Sequence, residues 1–208
     1  MKIHFNAQGG NNLEYLCTKE RFLKDVESHT ITVNNDSDGF RRIRFKNPDD
    51  SAYFFDLVTW PMHLCVSGDM GTYVFRGTMD MFDFFRNKDL SINPGYWSEK
   101  VESIDRNGGI EDFSPDLFKK NIFHEFRENC DLRGESRREC LRAIQDDILC
   151  FLDERPESYL LSKAMDFDSN GFNMQDFWDY NNKEYTYRFI WNLYAIVWGI
   201  QRYDDFIK

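Results

Sequence analysis

The stretch that decides the fold is YFFDLVTWPMHLCVSGDMGTYVF, residues 53–75. Residues 53–59 are apolar except for Asp56, which is typical of a central strand, and Pro61 ends this strand. Residues 63–67 and 72–75 predict two further strands, joined by Gly68-Asp69-Met70-Gly71. Glycine suits the positive φ of a tight turn, so this segment predicts a β-hairpin.

Upstream of this stretch, two β-branched or alternating segments extend the predicted sheet. Residues 30–33 and 40–45 are strand-like, and turn clusters rich in Asn, Asp, Gly and Pro follow each of them, at 34–39 and 47–50. A short helix over 17–26 is predicted before them. The first half therefore predicts a meander of four or five antiparallel strands.

Downstream, helical patterns dominate. Thr78 is the expected N-cap of a helix that runs to about Asn87, and Ser114-Pro115-Asp116 predicts another helix start. Apolar stripes, a short helix near 158–165 and a final, mostly apolar helix over 184–203 complete the pattern. The stripe residues are Phe118, Ile122 and Phe126 in one helix and Leu141, Ile144, Ile148 and Leu152 in the next.

Strands first and helices after predict an α+β fold, in which an N-terminal antiparallel β-meander packs against a C-terminal set of helices. We expect one domain over residues 1–208. A division into a sheet lobe, 1–110, and a helical lobe, 111–208, is the alternative.

The chain of 208 residues has 26 Lys and Arg against 36 Asp and Glu, a net charge of −10, of which residues 111–208 carry −7. Such a balance argues against direct nucleic-acid binding, because that affinity comes from cations that displace counterions. A basic partner surface would be attracted instead. Residues 1–8 lack the apolar run of a signal peptide, the apolar stretch 193–198 is too short for a bilayer, and the five cysteines are widely spaced. We therefore expect a protein of the cytoplasm with reduced thiols and no membrane contact.

Two motifs only begin like metal sites. Residues 166–171, DFDSNG, open like a calcium loop, but the twelfth position is Phe177 rather than glutamate. His124-Glu125 opens like a helical zinc-protease motif, but Glu128 stands where the second histidine is needed. We predict no metal ligand, no catalytic residue and no cofactor. A polar turn and an exposed helix face are the expected structures.

Asp56 and Asp69 are the most informative carboxylates. A carboxylate in an apolar strand needs a partner, so Asp56 is expected to be hydrogen-bonded to backbone or to pair with Arg41, Arg42, Arg44 or Arg76. Asp69 is expected to support its turn. A paired-carboxylate active site is the alternative. Arg42 and Arg44 should share one face of their strand, as a solvated stripe or a nucleic-acid contact.

Three segments of the sheet region carry a resemblance: FDLVTWP at 55–61, LCVSGDMGTYVF at 64–75 and MFDFF at 81–85. Together with INPGYW at 92–97 and YRFIW…WGI between 187 and 200, the chain resembles a family of small proteins encoded by tailed phages and prophages of proteobacteria. The resemblance runs from about residue 28 to 204. It implies a phage-encoded protein of the bacterial host cytoplasm, and it carries over no catalytic residue.

These observations lead to three hypotheses. The first is an inhibitor that binds a host protein or ribonucleoprotein complex of the CRISPR–Cas or restriction type through an acidic surface. The second is an enzyme or small-ligand binder of phage nucleic-acid metabolism, with a pocket at the Gly68–Gly71 turn, and the third is a partner of phage replication proteins. The expected partner- or ligand-binding residues are Trp60, His63, Asp69, Tyr73, Asp146, Asp147, Asp153 and Glu154.

Overall fold

The computed structural model describes residues 17–208, so the expectation that residues 1–8 are not a signal peptide lies outside the described part. The chain divides into two compact units. The first contains the residues up to Ile110 and Tyr185–Lys208, and the second contains Glu111–Glu184. We call them the sheet unit and the insert unit.

The sheet unit is built on six antiparallel strands that follow one another in chain order. The strands are β1 (Thr30–Ser37), β2 (Phe40–Lys46), β3 (Phe55–Trp60), β4 (His63–Gly68), β5 (Gly71–Arg76) and β6 (Val101–Ile104). The predicted α+β meander is thus confirmed, and β6 is a strand that the sequence did not indicate. One face is buried, because every second side chain of β3 and β5 is buried and the side chains between them are half-buried or exposed.

The β4–β5 hairpin closes with Gly68 opposite Gly71. Only Gly71 has a positive φ, +98°, which L side chains rarely adopt. Gly68 is required for a different reason. A Cβ at Gly68 would lie 2.1 Å from the carbonyl oxygen of Phe54. The predicted positive φ is therefore present at Gly71, whereas Gly68 is explained by the close approach of the backbone.

The C-terminal helix α7 (Tyr187–Phe206) supplies the largest part of the sheet unit's core. It starts at the N-cap Thr186, whose hydroxyl accepts a hydrogen bond from Phe189 N, and it is buried on most sides, as predicted. A Cβ at Gly199 would lie 2.8 Å from Leu57 Cδ1. Helix α7 therefore packs closely on the sheet here, and an added Cβ would require the side chains of Leu57 and Phe45 to shift.

Three short helices complete the sheet unit: α1 (Lys19–Asp25), α2 (Met81–Phe85) and α3 (Pro94–Ser98). Thr18 caps α1 through its hydroxyl. The expected N-cap Thr78 is wrong, because the carboxylate of Asp80 caps α2 by accepting from Phe82 N. Asp80 also binds both terminal nitrogens of Arg41, so its position is fixed by the sheet rather than by the local sequence.

The insert unit is mainly helical, with α4 (Pro115–Asn129), α5 (Gly134–Asp147) and α6 (Glu157–Met165). Its short strands are β7 (Glu111–Phe113), which pairs with β10 (Lys183–Tyr185), and β8 (Asp168–Ser169), which pairs with β9 (Phe172–Asn173). The predicted cap at Ser114 and the buried stripe of Phe118, Ile122 and Phe126 are confirmed. In the second stripe, Ile144 and Ile148 are fully buried as predicted, whereas Leu141 and Leu152 are only half-buried. The first position needs a correction, because Cys140 rather than Leu141 is fully buried.

The two units differ from the predicted alternative of a sheet lobe, 1–110, and a helical lobe, 111–208. The first boundary falls after Ile110, close to residue 110, but Tyr185–Lys208 belongs to the sheet unit. The reason is physical, since the continuous apolar surface of α7 is buried by the apolar face of the sheet.

His29 gives the sheet unit a predicted pH dependence. Its Nε2 faces the carbonyl of Tyr53 at 3.0 Å, so Nε2 carries the proton, and Nδ1 is buried without a partner among the described residues. Burial lowers the pKa of His29 below its ordinary 6.5, although Asp25 and Asp50 oppose this effect. Because the unfolded chain then binds a proton more readily, we expect stability to be full above pH 6.5 and to fall as the pH drops below it.

The measurement is urea unfolding at pH 7.5 and at pH 5.5 for the native chain and for His29→Gln, whose amide can still donate to Tyr53. The variant should lose less stability between the two pH values than the native chain does. Equal losses would show that His29 does not titrate in a buried setting.

Candidate functional site

Trp60 and His63 flank the β3–β4 turn and form one stacked pair. Their ring centroids lie 4.9 Å apart with an interplanar angle of 11°. His63 Nδ1 lies 2.9 Å from the carbonyl of Pro61, and Nε2 lies 3.0 Å from Glu102 of β6. Both rings are half-buried, so this pair forms a fixed aromatic corner at one end of the sheet.

Asp69 and Tyr73 lie away from this corner. Asp69 occupies the β4–β5 turn, at the opposite end of β4 from His63, and its carboxylate accepts from Tyr53 N at 3.0 Å. It therefore supports the turn, as expected. Tyr73 is fully buried in the core, and its hydroxyl donates to the carbonyl of Gly109. The structure brings Trp60 and His63 together, but it does not gather the four side chains around the Gly68–Gly71 turn.

Asp56 has the partner that its apolar strand requires. Arg44 of β2 lies opposite it and donates to both carboxylate oxygens, from Nε at 2.7 Å and from Nη2 at 2.8 Å. This fork geometry satisfies the charge within the sheet. Of the two expected arrangements, backbone hydrogen bonding and an arginine partner, the structure has the arginine, and the residue is Arg44.

The two metal-like openings have ordinary structures. Residues 168–173 form the β8–β9 hairpin, whose turn residues Asn170 and Gly171 both have positive φ, 54° and 83°. His124 lies exposed on α4. Within residues 17–208, no group of three or more His, Cys, Asp or Glu side chains could hold a metal ion.

The cysteines of the described region are free thiols, and Cys17, Cys130 and Cys140 are buried. Burial raises the pKa of Cys17 to about 12, with a further contribution from Asp25. A thiol with such a pKa stays protonated and is a poor nucleophile. The predicted stripe put Leu141 to Leu152 on one helix, but α5 ends at Asp147, and Cys150 lies in the following 3-10 turn, Leu149–Phe151.

The negative charge of the chain is concentrated in the insert unit. Its 74 residues contain 18 Asp and Glu against 10 Lys and Arg, a net charge of −8 out of −10 for the whole chain. The predicted partner-binding carboxylates Asp146, Asp147, Asp153 and Glu154 are all exposed, at the end of α5 and just beyond it. None of the four has an ion-pair partner in the described part of the chain.

Two further carboxylates join this surface. Asp147 lines an open groove of about 390 Å³ together with Asp166 and Asp168, which precede or belong to the β8–β9 hairpin. Tyr159 and Lys163 of α6 line the same groove. In the sequence, Asp166 and Asp168 belong to a segment that only begins like a calcium loop. Nothing in the sequence indicates that they lie beside Asp147. We call Asp146, Asp147, Asp153, Glu154, Asp166 and Asp168 the acidic surface.

An exposed tryptophan lies in a second acidic region of the same unit. Trp178 is 62% exposed and lies between Asp176 and Asp179 in sequence. Asp176 and Asp179 line a groove of about 310 Å³ with Glu125 and Tyr180. An exposed tryptophan is typical of interaction surfaces, and no local pattern in the sequence marks Trp178 as exposed.

No match to the chain was found among protein-family models, curated proteins or solved structures. In the described residues, none of the helices combines the length and the apolar character that crossing a bilayer requires.

Proposed function

We propose that the chain is a phage-encoded accessory protein that binds and inhibits a defence complex of its bacterial host, of the CRISPR–Cas or restriction type. It acts in the host cytoplasm, and its acidic surface occupies a basic surface of the target. The observation that carries the proposal is the charge of −8 within the 74 residues of the insert unit.

The physical argument starts from what such a target needs. A complex that binds nucleic acid presents Lys and Arg to the phosphate backbone, and this positive surface also attracts a carboxylate surface. Asp147, Asp166 and Asp168 border one groove and can receive cationic side chains there. A protein that covers the basic surface competes directly with the nucleic acid.

The insert unit is built to present these charges. Its core is closed by apolar residues such as Phe118, Ile144 and Phe177, which are fully buried, so the carboxylates remain in water. Trp178 adds an exposed aromatic side chain, which can anchor an interface that charge alone would leave weak and easily screened.

Neutralising the carboxylates tests the proposal. The variant Asp146→Asn, Asp147→Asn, Asp153→Asn, Glu154→Gln is expected to lower the affinity for the target about tenfold or more. An exposed ion pair contributes about 0.2–1 kcal/mol. The loss of four such pairs, each in the middle of this range, exceeds the roughly 1.4 kcal/mol that corresponds to a factor of ten in affinity. The measurement is capture of the target complex by the tagged chain in a host that carries defence systems, followed by titration with salt.

The matched control removes four exposed carboxylates from the sheet unit: Glu20→Gln, Glu27→Gln, Asp89→Asn and Glu99→Gln. It changes the net charge equally and should leave capture unchanged. Equal weakening by both variants, or binding that salt does not weaken, would contradict recognition by the acidic surface. Stoichiometric capture of a replication complex would contradict a defence target.

A further inference from the structure

One face of α4 departs from the acidic character of its unit. Lys120, His124 and Arg127 lie at positions i, i+4 and i+7, so they share one helix face over about 10 Å. Phe123, which is 38% exposed, lies on the same face between them. These four side chains line an open groove of about 600 Å³, together with Asn121 and Tyr180. We call it the α4 groove.

Two other residues of the groove are held by hydrogen bonds before any ligand binds. The hydroxyl of Tyr180 donates to Glu125 Oε2 at 2.7 Å, and this hydrogen bond raises the pKa of Tyr180 to about 12. Asn121 Nδ2 donates to the carbonyl of Asn181 at 3.0 Å and to Asn182 Oδ1 at 2.9 Å. The groove is therefore a preformed feature rather than a gap between mobile side chains.

The hydrogen-bond donors of this face are also oriented. Arg127 Nη2 lies 3.1 Å from His124 Nδ1. A guanidinium has no acceptor, so Nδ1 must accept the hydrogen bond, and the imidazole carries its proton on Nε2. Arg127 Nε is held by Glu128 at 2.9 Å. His124 Nε2, Arg127 Nη1 and Lys120 Nζ have no hydrogen-bond partner within residues 17–208, and they remain as donors for an anion.

We propose that the α4 groove binds a free mononucleotide. The phosphate is held by Lys120, His124 and Arg127, and the base stacks on the ring of Phe123. The volume of about 600 Å³ lies in the range of small-ligand sites. Two features lie on the same helix face: three donors for a phosphate and an exposed aromatic ring. A simple anion would use only the donors, and an apolar ligand would use only the ring.

The surrounding charge favours a single nucleotide over a strand. A longer chain of phosphates would pass beyond the three donors and meet a unit whose net charge is −8. Each additional phosphate then adds repulsion instead of counterion release. The site takes one phosphate group with its base, and this inference is independent of the acidic surface and its proposed target.

Calorimetric titration with AMP tests the proposal, with adenosine, inorganic phosphate and a single-stranded oligodeoxynucleotide as the other ligands. We expect AMP to bind with a Kd below about 1 mM and more tightly than the three other ligands. Lys120→Ala and Phe123→Ala should each raise the Kd of AMP about tenfold, because each removes one half of the recognition.

The controls match these changes one by one. Lys119→Ala removes the same charge from the neighbouring position, outside the groove, and Trp178→Ala removes an exposed ring elsewhere in the unit. Both should leave the Kd of AMP within about twofold of the native value. Absence of AMP binding, tighter binding of the oligonucleotide, or equal effects of Lys119→Ala and Lys120→Ala would each overturn the proposal.

Discussion

Replacing Trp191 by alanine is expected to lower the free energy of unfolding by about 3–5 kcal/mol. Trp191 is fully buried on α7, and its ring contacts the rings of Phe22 and Phe55 edge-on, with centroids 5.1 Å and 5.7 Å away. Its Nε1 donates to Asp25 Oδ2 at 3.0 Å. The substitution removes the side chain that joins α1, the sheet and α7, and it leaves a cavity that this packing cannot close.

Urea unfolding followed by far-ultraviolet circular dichroism measures the effect. The matched control is Phe206→Ala, which removes an aromatic ring from the same helix at a position that is 58% exposed. The control should change stability by no more than about 0.5 kcal/mol. Similar losses for the two variants would contradict the placement of Trp191 at the centre of the core.

Gly68→Ala is expected to lower the free energy of unfolding by about 3 kcal/mol, although it adds only a methyl group. The new Cβ would lie 2.1 Å from Phe54 O and 2.7 Å from Phe55 Cα. Both are backbone atoms, and Phe55 is paired with Gly68 in the β3–β4 ladder. Relief of the clash therefore requires the two central strands to separate locally.

The same denaturant measurement checks this prediction, with Gly95→Ala as its control. Around Gly95 the nearest atoms to an added Cβ are 4.0 Å away, so alanine fits there. Stability should stay the same or rise by up to about 1 kcal/mol, because alanine restricts the unfolded chain. If Gly68→Ala were tolerated as well as Gly95→Ala, the close approach of the strands would be wrong.

The meander could be predicted because its signals are local. The apolar run of β3, interrupted only by Asp56, and the glycine turn between β4 and β5 are local signals of a strand and of a hairpin. Strand β6 carries no such signal, since Glu102, Ser103 and Ile104 are all exposed. It exists through its pairing with β5, which no local pattern in the sequence reveals.

Two helix details were missed for similar reasons. Thr78 and Asp80 are both acceptable N-caps by residue type, and the hydrogen bonds from Arg41, distant in sequence, accompany the choice of Asp80. On α5, hydrophobicity favours Leu141, but the buried line passes through Cys140. A thiol that fills a core position looks unremarkable in sequence.

The candidate sites could not be predicted from the sequence, because closeness along the chain differs from closeness in the folded protein. Trp60, His63 and Asp69 are close in sequence, yet the turns that carry them lie at opposite ends of β4, so they form no common site. Conversely, Tyr180 completes a groove with α4 residues about sixty positions earlier. The spacing of Lys120, His124 and Arg127 on one helix face was the one local signal for this groove. The negative net charge of the chain gives no indication of such a face.

The measurement that tests the central claim most directly is the plating of a phage on a host whose defence system restricts that phage. Cells that express the native chain are expected to lose this restriction. Cells that express the variant Asp146→Asn, Asp147→Asn, Asp153→Asn, Glu154→Gln at the same level are expected to keep most of it. Full restriction in the presence of the native chain, or equal loss of restriction with both proteins, would contradict inhibition through the acidic surface.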